Sequence, residues 1–130
     1  MKFKHLVMLN GLVLLCFGAA FMIRPLDMMA LYGVTQSGWG VTGLLAVTLI
    51  GFGIVLIGTA YWVPEAAELP VTRTLLVANL VAFVVSLAQQ QALWNTRMGW
   101  VTAGGYLLFV LGYSYRAIKG MTASQLTRRA

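Results

Sequence analysis

Few side chains in this sequence can do chemistry, and their spacing limits what that chemistry is. Asn10 and Asn79 sit inside long apolar runs, while Gln89, Gln90 and Gln91, then Asn95, Thr96 and Arg97, form the densest polar cluster, flanked by Trp94 and Trp100. An amide in hydrocarbon must find a partner across helices or at the headgroups, so Asn10 and Asn79 read as fasteners between helices or as polar contacts for a ligand. The glutamine-rich cluster reads as a helix end emerging among headgroups, or as one border of a small pocket shared with the segment that begins at Pro25. Glu65 and Glu68 are three residues apart, but no histidine or third acid stands near them to complete an acid–base pair or a metal site. His5 stands alone between Lys4 and the first apolar run. Cys16 is the single cysteine, has no partner for an internal disulfide, and reads as a small buried apolar side chain. Cysteine pairs for thiol–quinone chemistry, ligand clusters for haem, di-iron or zinc, a P-loop and a nucleophile elbow are all missing from the sequence. No catalytic residue, metal site or cofactor is indicated.

The elements that would position these residues are four uncharged apolar stretches, 6–23, 41–63, 74–92 and 98–115. Each is close to the ~20 residues that carry a helix across ~30 Å of hydrocarbon. The chain is 60% hydrophobic, and its nine basic and three acidic residues all fall outside the stretches. We therefore expect an all-α membrane protein, a single domain over 1–130 folded as an antiparallel bundle of four transmembrane helices. Lys2, Lys4, Arg73, Arg116, Lys119, Arg128 and Arg129 fall on one side of such a bundle, against Arg24 and Arg97 on the other. Basic residues near span ends stay in the cytoplasm, which places both termini there and the protein in the inner membrane. Trp39, Trp94 and Trp100 then mark the outer interface, and Tyr61, Trp62, Tyr113 and Tyr115 the inner one. The net charge of +6 is spread over span boundaries rather than gathered in one stripe, so nucleic acid is not an expected partner. The first stretch is longer than the ~7–15 residues of a signal-peptide core, and reads as a retained helix.

Within this frame, Pro25 to Tyr32 reads as a short helix along the outer interface between spans one and two, closed by Gly33, with Arg24 and Asp27 as an exposed pair. Pro64 to Pro70 reads as a cytoplasmic turn, and 116–130 as a basic tail lying on anionic lipid. Helix packing is expected along Gly11 and Gly18, Gly51 and Gly58, and Gly105 and Gly112, each pair seven apart, and along Ala78, Ala82 and Ser86 on the third span. An echo between residues 38–43 and 99–104, both opening with Gly-Trp, fits a duplicated helical hairpin.

The run Pro25-Leu26 through Ala30-Leu31-Tyr32-Gly33, followed by a glycine-rich second span, resembles small, largely uncharacterised bacterial membrane proteins of the DoxX-like kind. That resemblance implies a four-helix bundle and service as a subunit beside a quinone-linked respiratory enzyme. The chain departs from the pattern in having no arginine inside the first span, and no functional residue carries over. Small proton-coupled drug exporters have a similar layout but rely on an acid in the first membrane helix, and 6–23 has none. Two functions stand in front, and the first leads: a non-catalytic accessory or assembly subunit that contacts lipids and another membrane protein, or itself as a homo-oligomer. The other is a carrier or binder of a neutral lipophilic molecule such as a quinone, pigment or lipid, which requires a cavity among the helices. An enzyme ranks third.

Overall fold

The computed structural model describes residues 2–34 and 39–129, the side chains of 39–41, 128 and 129 excepted. The Trp39 ring expected at an interface, and much of the first half of the echo, lie outside the described residues. All secondary structure among them is helical: α1 (Phe3–Ile23), α2 (Pro25–Leu31), α3 (Trp39–Trp62), α4 (Glu68–Gln89) and α5 (Arg97–Arg129), with a 3-10 turn at Glu65–Ala67 and a π-helical turn at Gln90–Trp94. Three segments, Phe3–Ile23, Thr42–Trp62 and Glu65–Trp94, are long and apolar enough to cross a membrane. The fourth expected stretch forms most of α5 but does not join them, because Gly99, Gly104, Gly105, Gly112 and three tyrosines dilute its apolar character.

The chain builds two antiparallel hairpins, α1 with α3 and α4 with α5. Small residues hold the first together. A Cβ at Gly11 would lie 2.9 Å from the Gly53 carbonyl oxygen, and one at Gly18 would lie 2.9 Å from the Ile50 nitrogen, so both positions need glycine to let the helices approach. The answering strip on α3 corrects the expected one. It runs through Ala46, Gly53 and Ala60, all buried, whereas Gly51 faces open space and Gly58 meets only the Trp62 ring of its own helix. Gly51 is two residues, about 200°, from Gly53 and so occupies the opposite face. A similar correction applies to α4, where the buried residues are Thr72, Asn79 and Ser86, while Ala78 is exposed and Ala82 half-buried. Were the solvent lipid, an alanine would gain little by turning inward, whereas a polar side chain would gain a shielded partner, which accounts for the polar face. On α5, Gly112 touches the Leu6 side chain, and a Cβ on Gly105 would meet nothing within 4 Å.

The hairpins join most firmly at the end where Lys4 lies over the Tyr61 ring, 4.1 Å from its centroid, and Arg116 pairs with Glu68 at 3.1 Å. There, Phe3, Leu6, Val7, Leu56, Ala60, Phe109 and Tyr113 form one apolar cluster, supported by Val71, Leu75 and Leu76 of α4. A second cluster, Phe21, Tyr32 and Ala46 with Phe17, Met29, Leu49 and Trp94, forms at the opposite end, beside α2. Pro25 opens α2 and Gly33, at φ +73°, closes it.

Two expected connections are also corrected. The turn after α3 ends at Ala67, and Pro70 already belongs to the first turn of α4, where a missing N–H leaves no helical bond unmade. The basic tail is not separate: α5 runs unbroken for 33 residues, about 50 Å, past the bundle. Arg116 is tied to Glu68, Ala117 is buried and Leu69 covers Gly120, so the helix is held into its last stretch.

Polarity is distributed inside out. Asn10, Thr42, Thr72, Asn79, Ser86 and Gln90 are buried, while Leu44, Phe52 and Leu108 are 70%, 60% and 71% exposed among many other large apolar side chains. Cys16 also faces outward, contrary to expectation, because it lies two residues from Gly18 and therefore opposite the α3 contact.

Candidate functional site

Between the two apolar clusters the hairpins part, leaving a partly open cavity of about 440 Å³. It draws on every helix. From α1 come Asn10, Val13, Leu14, Phe17 and Phe21; from α2 and the residues after it, Met29, Tyr32 and Val34; from α3, Leu45 and Leu49. The second hairpin adds Ser86 of α4, Trp94 of the π turn, and Val101, Thr102, Gly105, Tyr106 and Phe109 of α5. Thr102, Gly105, Tyr106 and Phe109 are spaced at i, i+3, i+4 and i+7, one face of α5. Because Gly105 contributes no side chain there, the middle of that face stays empty.

Asn10 anchors one end of the cavity. Its Nδ2 donates to the Tyr113 hydroxyl at 3.1 Å and, more weakly, to Asn79 Oδ1 at 3.5 Å, while Asn79 Nδ2 returns to the Leu75 carbonyl at 2.8 Å. These bonds tie α1 to both helices of the second hairpin, across 69 and 103 residues of sequence. Each such bond contributes ~0.6–2 kcal/mol in a membrane setting.

The other end is roofed by aromatic rings. Tyr32 stacks on Phe21 with centroids 6.1 Å apart and tilts against Trp94 at 4.9 Å. Its hydroxyl lies 2.6 Å from Thr102 Oγ1, which itself donates to the Met98 carbonyl at 3.0 Å. Thr102 has one hydroxyl proton, so Tyr32 is the donor and the bonds run from Tyr32 to Thr102 to Met98. Burial pushes the Tyr32 phenol's pKa above its usual value and keeps it neutral. Among the described residues no charged side chain lines the cavity.

The polar cluster after α4 behaves differently from expectation. Gln90 is 1% exposed and turns into its own loop, where Nε2 donates to the Thr96 carbonyl at 2.8 Å and Oε1 accepts from the Thr96 N–H at 3.4 Å. A Cβ on Gly99 would overlap that amide, so Gly99 gives Gln90 its space. Asn95 takes the left-handed conformation at φ 42° and its N–H bonds the Gln90 carbonyl, ending the helix in the role usually left to glycine. Gln91, Asn95 and Arg97 are exposed, Gln89 is half-buried, and none of the five borders the cavity. Of that neighbourhood Trp94 alone lines it. Of the residues expected to contact a ligand or fasten helices, Asn10 and Asn79 come together and Asn10 lines the wall. Ser86 and Gly105, expected as packing residues, line it too.

Phe17, Tyr32, Tyr106 and Phe109 were not singled out by sequence. Tyr32 stands in the segment before Gly33, and Tyr106 carries the only hydroxyl between Thr102 and Tyr113, but nothing local says that either faces a void. A second hollow of about 260 Å³ lies beside Glu65, Glu68, Arg116 and Ser124, where the Arg116 Nε is buried without a partner among the described residues. Among the described residues no three metal-binding side chains converge. Comparison with known proteins finds no matching family, no matching curated protein and no matching solved structure.

Proposed function

We propose that this chain is a small integral membrane protein that binds one uncharged lipophilic molecule in the cavity between its hairpins. In this reading the helices cross the bilayer four times, α5 supplying the fourth span, with both termini on the cytoplasmic side of the inner membrane. The observation that carries it is the cavity itself. A void of about 440 Å³ walled by apolar and aromatic side chains, with a few neutral polar groups and no charge among the described residues, is of a size and character suited to a small organic ligand. An ion would find no counter-charge there, and desolvating one without a partner is strongly unfavourable.

Trp94 supplies the test, because it touches both the cavity and the Tyr32 roof. Titration of the protein in lipid nanodiscs with pyrene should quench tryptophan emission saturably at one site per chain, and Trp94→Phe should remove most of that transfer. Pyrenecarboxylate should not saturate the site. Linear, non-saturating quenching by pyrene, equal to that of empty nanodiscs, refutes the proposal.

A second function, that of an accessory or assembly subunit, is favoured by the open space beside Gly43 and Gly51 on α3 and Gly104 on α5, where the backbone is accessible to another membrane helix. The DoxX-like resemblance points the same way. Co-purification of a stoichiometric membrane protein in mild detergent, lost on Gly51→Leu, would support it.

A further inference from the structure

We infer that the cavity selects a flat, uncharged ring compound bearing a carbonyl or hydroxyl oxygen, and that Ser86 and Tyr106 hold that oxygen; this rests on the cavity being a ligand site. The wall is rich in rings, with Phe17, Phe21, Tyr32, Trp94, Tyr106 and Phe109 all bordering it, which suits a planar ligand that can stack or meet ring edges.

The hydroxyls decide the rest. Threonines 48, 59, 72, 74, 102, 122 and 127 all return their hydroxyl to the carbonyl four residues back, the usual way a helix in lipid satisfies such a group. Ser86 does not, although it is only 5% exposed, and neither it nor Tyr106 has a hydrogen-bond partner among the described residues. Both border the cavity. Their depths also agree. Asn79 and Tyr113 meet at Asn10, and seven residues toward the α2 end on each of the antiparallel helices α4 and α5 lead to Ser86 and Tyr106. Both therefore lie about 10 Å from the Asn10 level. At the roof, by contrast, the Tyr32 and Thr102 protons are already committed to Thr102 and Met98, so those hydroxyls can accept but not donate. Ser86, Tyr106 and the Trp94 indole N–H are thus the donors on the wall without a partner among the described residues, and a ligand oxygen between the two hydroxyls, which share one level, relieves two otherwise unpaired groups.

Fluorene and fluorenone provide the test, since they share one planar skeleton and differ by a carbonyl oxygen. Binding is measured by tryptophan energy transfer or by calorimetry in one detergent, with concentrations expressed as mole fractions of the detergent phase so that partitioning cancels. The wild-type chain should bind fluorenone more tightly than fluorene. Ser86→Ala and Tyr106→Phe should each weaken fluorenone on the order of fivefold while leaving fluorene within about twofold, the loss expected for one hydrogen bond. Equal wild-type affinity for the two compounds overturns the inference, as it means the hydroxyls face water or a flexible void. So does an equal loss for both compounds in the variants, which would mark Ser86 and Tyr106 as packing residues. If neither compound binds the wild-type chain, the proposed function falls and this inference falls with it.

Discussion

Gly105→Leu is the substitution that most sharply separates a cavity built for a ligand from incomplete packing. A Cβ at Gly105 meets no atom within 4 Å, and the position lies on the cavity wall, so four added carbons enter the void without displacing backbone. They fill on the order of 100 Å³ of the 440 Å³, which at ~24 cal/mol per Å³ of void removed is ~2 kcal/mol of stabilisation. Removing a mid-helix glycine adds up to ~1 kcal/mol, and fixing the leucine rotamer takes back ~0.5–1 kcal/mol. The net is a gain of ~2 kcal/mol. Unfolding by SDS titration in mixed micelles, followed by circular dichroism, reads that gain, and pyrene titration of the same samples reads the site. The expected result is a more stable chain that no longer binds. A destabilised chain would mean that the void is not as open as the backbone indicates, and unchanged binding would mean that the ligand sits elsewhere; either refutes the reasoning.

Further outcomes follow from other contacts. Gly53→Ala should cost ~1–3 kcal/mol, because its Cβ would lie 2.8 Å from the Gly11 carbonyl oxygen, whereas Gly51→Ala, with open space beside it, should be neutral or slightly stabilising in the same SDS titration. A double-mutant cycle of Asn10→Leu and Tyr113→Phe should give a coupling of ~0.6–1.7 kcal/mol, and a value near zero would remove Asn10 as the fastener between hairpins. Gln90→Leu leaves the Thr96 backbone groups without their partner and should lower stability by ~1–3 kcal/mol, with faster amide exchange concentrated in residues 90–99. Cys16, exposed on the bundle surface in the middle of α1, should resist a water-soluble maleimide in liposomes and react once the chain is dissolved in SDS; rapid labelling in liposomes would contradict a lipid-facing α1.

Much of the helical layout was legible because long uncharged apolar runs read as helices of membrane-crossing length. Pro25, Gly33 and Pro64 mark breaks that the chain makes. Helix phase was harder to read. Gly11 and Gly18 were visible as packing residues, but their partner strip could equally have passed through Gly51 or Gly53, and only the geometry of the α1–α3 contact selects Gly53. Polar faces were misjudged for a related reason. In the membrane reading, small apolar residues of α4 are nearly indifferent between lipid and protein, so Ala78 and Ala82 carry no directional signal, while Thr72, Asn79 and Ser86, spaced by seven, do. The cavity left almost no local trace. Its residues are scattered from Asn10 to Phe109, and a void is a property of what two hairpins fail to fill. The glutamine cluster was conspicuous for the opposite reason: a buried loop amide such as Gln90 is rare and stands out, but its partners are two backbone groups six residues away, and its work is to shape a turn.

The most direct measurement is native mass spectrometry of the chain released from lipid nanodiscs, with the wild-type protein and Gly105→Leu prepared side by side. The account predicts that the 14.1 kDa wild-type chain carries one uncharged organic molecule of roughly drug size per copy and that Gly105→Leu carries none. A bare wild-type chain, or the same adduct at the same occupancy on both proteins, would contradict it.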